Sequence, residues 1–214
     1  MGSGRGTAPG GRVWGEPQPG PFRRLIGRAR ALAGIQATEP RTGLRDLPLA
    51  LRRGELAERY LAAEGDGDHR RAGAAAISAM DASIADGGWW AADIWAHRGL
   101  WHFEQAGMTL QATRQARRIG DLRSAAGDPG SARRYYAEAI DEARDIGAEH
   151  EQGLAALGLG RALLELGDVT TGRRLAGAAE TLLVRAGAPA IETEAARRLR
   201  GSELAVGEQA KERE

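Results

Sequence analysis

The stretch GDLRSAAGDPGSARRYYAEAIDEARDIG, residues 120–147, shows one turn and one helix in readable form. Asp128 before Pro129 supplies a helix cap and a first-turn proline, whose missing N–H is one that a helix start leaves unpaired anyway. From there Ala132, Tyr136, Ala139, Ile140 and Ala143 fall at offsets of 0, 4, 7, 8 and 11, which places them on one helical face. Gly147 can take the left-handed conformation that ends the helix. The same marks recur outward at a spacing of 40 residues, with Gly87, Gly127 and Gly167 at one turn and Gly107, Gly147 and Gly187 at another. Ala92, Ala96, Gly99, Leu100 and Phe103 stand in register upstream. Gly172, Ala176, Ala179, Glu180 and Leu183 do so downstream, with Glu180 out of character for a core face. A fixed period longer than one helix predicts an all-α stack of antiparallel helical hairpins, each burying its apolar face only against its neighbours.

The bulk composition suits such a fold. The chain has 214 residues, 42% apolar and 28% charged, enough for one compact domain plus a tail. Its net charge of +1 hides an asymmetry, since residues 1–60 hold eleven Arg against five acids and the remainder is correspondingly acidic. The arginines are spread among Pro, Gly and helical stretches without a compact stripe, which argues against nucleic-acid binding. The absence of cysteine removes disulfides, thiolate metal sites and thiol nucleophiles together. No segment approaches the apolar run of a signal peptide or membrane span, and Gly6 stands where a myristoylation motif needs Ser or Thr, so a cytoplasmic protein is expected. Lys211 is the only lysine, and the wealth of Arg, Ala and Gly suggests a GC-rich bacterial genome.

Residues 1–21, rich in Gly, Pro and Arg with Trp14 as the only bulky anchor, read as a disordered lead. A helical repeat domain is expected over residues 22–206. Its first part, 22–64, contains a short basic amphipathic helix (Phe22, Leu25, Ile26, Ala29, Leu32) and a degenerate helical pair over 43–64, shortened by Pro48 and split by Gly54. The helix at 22–34 reads as a cap docked on the stack more readily than as a membrane-surface element. Residues 70–85 form a helix of many small residues, the clear repeats run over about 73–187, and a capping helix follows at 189–204. Residues 207–214 are expected to fray.

With Gly120, Gly127, Asp128, Ala132, Tyr136 and Ala139 in one unit, and Gly160, Gly167, Asp168, Ala176 and Ala179 in the next, the chain resembles the tetratricopeptide repeats. Its 40-residue period is similar to the longer repeats of bacterial signalling and regulatory proteins. A further unit at about 73–107 fits through Gly87, Ala92, Ala96 and Gly99 but has Met80 where the family places a small residue. The resemblance implies a right-handed superhelix whose concave groove, lined by the first helix of each pair, holds a peptide or partner segment. No particular partner follows from it, because the fold serves adaptors, co-chaperones, sensors and assembly factors alike.

Carried onto this chain, the groove positions are Arg114, Arg117, Asp121, Ser124 and Ala125 in one unit and Leu154, Leu157, Arg161, Leu164 and Glu165 in the next. Guanidinium groups can grip carboxylates with paired hydrogen bonds and leucines can bury apolar anchors, so an acidic, amphipathic peptide is the expected ligand. The terminal-carboxylate clamp of the co-chaperone version needs Asn and Lys where this chain has Asp121, Arg117 and Arg161, which argues against that variant. The competing reading pairs these arginines with Asp121, Glu165 or other nearby acids on a solvated face.

A second candidate is aromatic. Trp90, Ile94, His97 and Trp101 form a stripe distinct from the core face, whereas Trp95 and Phe103 belong to the core. Trp90 and Trp101 have Gly130 and Asp141 as their counterparts one unit on, where exposure is expected. The stripe is covered either by the N-terminal helices or by another chain, the latter including a homodimer.

Chemistry is sparse. Gly158-Leu-Gly160 lacks the third glycine and the strand of a dinucleotide site and reads as helix packing. The four histidines lack metal-ligand spacing, and His97 and His102 diverge around their helix. Glu138, Asp141, Glu142 and Asp145 read as a solvated acidic face, and no nucleophile elbow or phosphate loop is present. The sequence therefore predicts a non-enzymatic protein- or peptide-binding scaffold without cofactor or metal. The alternatives are a self-associating subunit that uses the Trp90–Trp101 stripe and, with residues 22–64 against it, a fragment of a ligand-sensing transcriptional regulator.

Overall fold

The computed structural model describes residues 54–202, which form eight α-helices and no strand. They are α1 (Glu55–Gly65), α2 (His69–Ala85), α3 (Trp89–Gln105), α4 (Thr109–Ala125), α5 (Pro129–Asp145), α6 (Glu149–Glu165), α7 (Val169–Arg185) and α8 (Ala190–Gly201). Consecutive helices pack against one another as a stack of hairpins. The expectations for residues 1–21, for the basic helix at 22–34, for the first stretch of the 43–64 pair and for the tail lie outside the described residues.

The helices α2 to α7 all have 17 residues. Left-handed glycines recur at Gly67, Gly87, Gly107, Gly127, Gly147, Gly167 and Gly187. The 40-residue period is thus two modules of equal length, and both turns are built alike. At the second turn of the series quoted above, Gly127 has φ 75°, where a side chain would clash with its own backbone. Its N–H donates to the Ser124 carbonyl at 2.9 Å and the Asp128 N–H donates to the Arg123 carbonyl at 2.9 Å, closing α4. Asp128 then opens α5 by accepting from the Ser131 N–H at 3.0 Å, and hydrogen bonding from Ser131, its side chain first and then this N–H, holds the carboxyl below the usual range. One residue ends a helix and the next begins another, so there is no slack to let the hairpins drift.

Packing between the two helices of a hairpin works by exchange of volume. Where α4 has Gly120, α5 has Tyr136, whose ring lies so close that a Cβ on Gly120 would come within 2.8 Å of it. One unit earlier the sizes are reversed, with a fully buried Met80 on α2 and Ala96 on α3. The large Met80 is thus matched by the small Ala96 across the hairpin. One unit later both positions are small, Gly160 and Ala176, and the backbones close in instead: a Cβ on Gly160 would meet the Gly172 carbonyl at 3.0 Å. Gly158 and Gly160 are packing glycines, as expected from the sequence.

Glu180, the misfit of the repeat, occupies the position of Leu100 and Ile140 but faces the short last helix. There it pairs with Arg197 at 3.1 Å and Arg200 at 2.8 Å. The even helices also meet one another directly, α4 on α6 and α6 on α8, more closely than the odd helices do. The even helices thus share one side of the described stack, here called its inner wall. Among the described residues, no helix is long and apolar enough to cross a membrane.

Candidate functional site

The inner wall carries the arginine and leucine positions expected from the sequence. Arg114 donates to Glu151 on the next even helix at 2.8 Å. Arg117 bridges Glu151 at 3.2 Å and Asp121 at 2.7 Å. Arg118 reaches back to Asp81 on α2, and His150 contacts Glu192 on α8 at 2.6 Å. Each inter-helix contact joins residues roughly one repeat apart, so the wall is laced from α2 to α8. Glu151 is the centre of the lacing, only 6% exposed and held by two guanidiniums. Its place near a helix start hid it from the sequence reading; the signal available was its position one repeat after Gln111, on the same wall as the arginines.

Arg114 and Arg117 are thus paired, as the competing reading of the sequence anticipated, with Asp121 as one of the acids. Arg161 is exposed and has no ion pair among the described residues. Leu164 is half-buried against Gly172 and Leu154 is half-buried nearly three turns earlier, whereas Leu157 is buried in the hairpin core and is unavailable to a ligand. That is a correction to its placement in the groove: α6 is pressed against α5, α7 and α8 at once, so its buried face is wider than one stripe.

Tyr136 links the two sides of the stack. It starts on α5, its ring passes between Gly120 of α4 and Gly158 of α6, and its hydroxyl donates to the inner-wall Asp121 at 2.8 Å. A Cβ on Gly158 would lie 2.4 Å from the ring. Burial, followed by the Asp121 carboxylate, pushes the phenol well above its ordinary value, while Arg161 and Arg117 pull the other way. Asp121 is consequently satisfied by Arg117 and Tyr136 together, and Arg161 has no ion-pair partner among the described residues.

The aromatic stripe is divided by the fold. Trp90 is 61% exposed, and its neighbour Trp89, which the stripe omitted, is 50% exposed. Ile94 packs on the core and His97 Nε2 meets the Tyr135 hydroxyl at 2.9 Å. Trp101 is half-buried, with the His69 ring edge-on at 5.2 Å and the His102 ring at 4.7 Å. The exposed feature is therefore a tryptophan pair at the start of α3 and not a continuous stripe.

A polar node on the odd-helix side was not legible from spacing. His102 is 1% exposed, with Nε2 3.0 Å from the Tyr60 hydroxyl and Nδ1 3.0 Å from His69 Nδ1. The hydroxyl also receives a bond from Arg98 at 3.0 Å and donates to Glu64 at 2.9 Å. A phenol has one proton, so with that proton on Glu64 the His102 Nε2 must be the donor to Tyr60. His102 Nδ1 is then the acceptor, and His69 Nδ1 carries the hydrogen between the rings. Burial, then the neighbouring His69 and Arg98, pulls His102 down to about 4. Burial likewise pushes Tyr60 up to about 12. Among the described residues, no group of three or more His, Asp or Glu is placed to hold a metal ion.

The acidic face of α5 also needs correction. Glu142 is half-buried and accepts from Thr113 at 3.0 Å. Burial, with Glu104, Glu138 and Asp145 adding like charge against the Thr113 bond, raises it to about 7. Asp141 and Asp145 are the solvated members. The repeat offered a sign of this, since the equivalents of Glu142 are His102 and Leu182, neither of which is exposed. No protein-family model matches the chain, and no curated protein matches it.

Proposed function

We propose that the protein is a non-enzymatic scaffold of the tetratricopeptide kind that binds an acidic, amphipathic peptide or partner segment along its even-helix wall, with Arg161 as the anchoring cation. The observation that carries this reading is the contrast among the wall's arginines. Arg114 and Arg117 are already held by Glu151 and Asp121, so a ligand carboxylate would have to displace an internal acid to reach them. Arg161 is exposed without such a competitor and is flanked on its own helix by the half-buried Leu154 and Leu164. A guanidinium beside apolar side chains suits a carboxylate next to a leucine or phenylalanine anchor.

Selection of displayed random peptides on the full chain tests the reading. Enrichment of peptides that combine Asp or Glu with a large apolar residue, lost in Arg161→Glu while helicity and unfolding midpoint stay unchanged, is the expected result. The same enrichment on both proteins would overturn it.

The exposed Trp89 and Trp90 favour a second reading, self-association through the start of α3. Sedimentation at micromolar concentration decides that case, and a monomer sinks it.

A further inference from the structure

We propose that the His69–His102 pair is an acid-sensitive latch that holds α1 on the stack. The inference stands apart from the peptide-binding reading and rests on proton counting. The two imidazoles meet Nδ1 to Nδ1 at 3.0 Å, an arrangement that needs one hydrogen between them. A second proton in the contact, on His102 Nδ1, leaves N–H facing N–H, with Trp101 edge-on to both rings.

The surroundings make the second proton costly. From α1, Tyr60 and Glu64 face His102, and the Glu64 carboxylate is 4.0 Å from its Nε2. From α2 the facing group is His69, and from its own helix it is Arg98, which adds positive charge beside the ring. On the other side of α3, α4 directs its charges elsewhere, Arg118 to Asp81, Arg123 to Asp93 and Arg114 to Glu151, and turns the neutral Gln115 to the Ala96 carbonyl. Only Glu64 opposes protonation's cost, and it is already engaged by Tyr60 and Arg98.

The sign follows from the low value of His102 in the folded chain. In the unfolded chain the group titrates near its ordinary value of 6.5, whereas in the fold it stays neutral until about 4. The stabilisation is therefore complete above pH 6.5 and is lost as pH falls toward 4. A charged His102 ring is relieved only by water, and α1 is the element that lifts to admit it, because Tyr60 and Glu64 of α1 stand over its Nε2 edge. Among the described residues α1 has α2 as its main packing partner and reaches α3 through the Tyr60 node, including Tyr60 edge-on to Trp95 at 5.2 Å.

Amide hydrogen exchange on the full chain, corrected for intrinsic rate, tests the latch with α6 as the internal reference. Protection of α1 relative to α6 is expected to fall by roughly two orders of magnitude between about pH 7 and pH 4, the size that the change in His102 predicts. In His102→Gln, which keeps an amide donor and acceptor without titrating, that fall should shrink below about tenfold. Parallel loss of α1 and α6 protection, or an unchanged profile in the variant, overturns the proposal. Nitrogen-15 shifts of the His102 ring in the wild-type chain provide a check that needs no variant. A ring that titrates near its ordinary value overturns the latch, and one that stays neutral until α1 opens supports it.

Discussion

Both walls of the stack are laced by polar contacts between residues about one repeat apart, but the chemistry of the lacing differs. On the even-helix wall the links are ion pairs at the surface, such as Arg114, half of whose side chain faces water, with Glu151. On the odd-helix side near α1 they are hydrogen bonds centred on the buried Tyr60 and His102, with His102 neutral. Exposed pairs contribute little because water replaces a lost partner, whereas a buried donor or acceptor left alone suffers its full desolvation penalty. The repeat thus uses one spacing in two ways: a wall whose ion pairs water can replace, and a seam whose hydrogen bonds it cannot.

The largest expected effect comes from the residue that joins the two sides. Gly158→Val would drive a side chain into the Tyr136 ring and push Tyr136 off Asp121, costing about 3 kcal/mol by urea unfolding. A near-neutral result would mean that the ring has room to move and that the walls are independent.

His102→Leu removes the donor to Tyr60 and the acceptor of His69, and a loss of about 2 kcal/mol is expected from the same measurement at pH 7.5. Glu151→Ala should cost less than about 1 kcal/mol despite removing two ion pairs, since both guanidiniums can turn to solvent. If Glu151→Ala proves the costlier of the two, the contrast between the walls fails. Glu151→Ala should also strengthen binding of acidic peptides, read by titration, because it frees Arg114 and leaves Arg117 with Asp121 alone.

A further effect is a pH dependence of opposite sign to that of His102. Glu142 is raised from 4.5 to about 7, so its folded form holds the proton more tightly and the wild-type chain loses stability as pH rises through that interval. Glu142→Gln should therefore leave the thermal midpoint unchanged near the bottom of the interval and raise it above the top. Equal midpoints at both ends would show that Glu142 remains solvated in the fold.

The hairpin stack was readable because its determinants are local and periodic. Gly127 and Asp128 carry turn and cap within two residues, and the face Ala132, Tyr136, Ala139 repeats in phase, so overlaying units separates core positions from the rest. Arg161 was readable for the same reason, as an arginine on a wall that the repeat identifies. What overlay cannot reveal is the company a side chain keeps once neighbouring units close on it. Met80 appeared as a departure and is matched by Ala96, Glu180 appeared as a misfit and is matched by Arg197 and Arg200, and Trp101 appeared as exposed and lies against His69.

Helix lengths, turns, caps and the core face of each hairpin follow from the residues in order, since backbone conformation and amphipathic phase are set within a few positions along the chain. Which arginine is free, which glutamate holds two of them, and which histidine is neutral follow only from packing. Those properties depend on burial and on partners some 30 to 40 residues away, as with Arg117 and Glu151 or His69 and His102. Distance through space, absent from a linear period, sets the charge state of each group and hence what each wall can do.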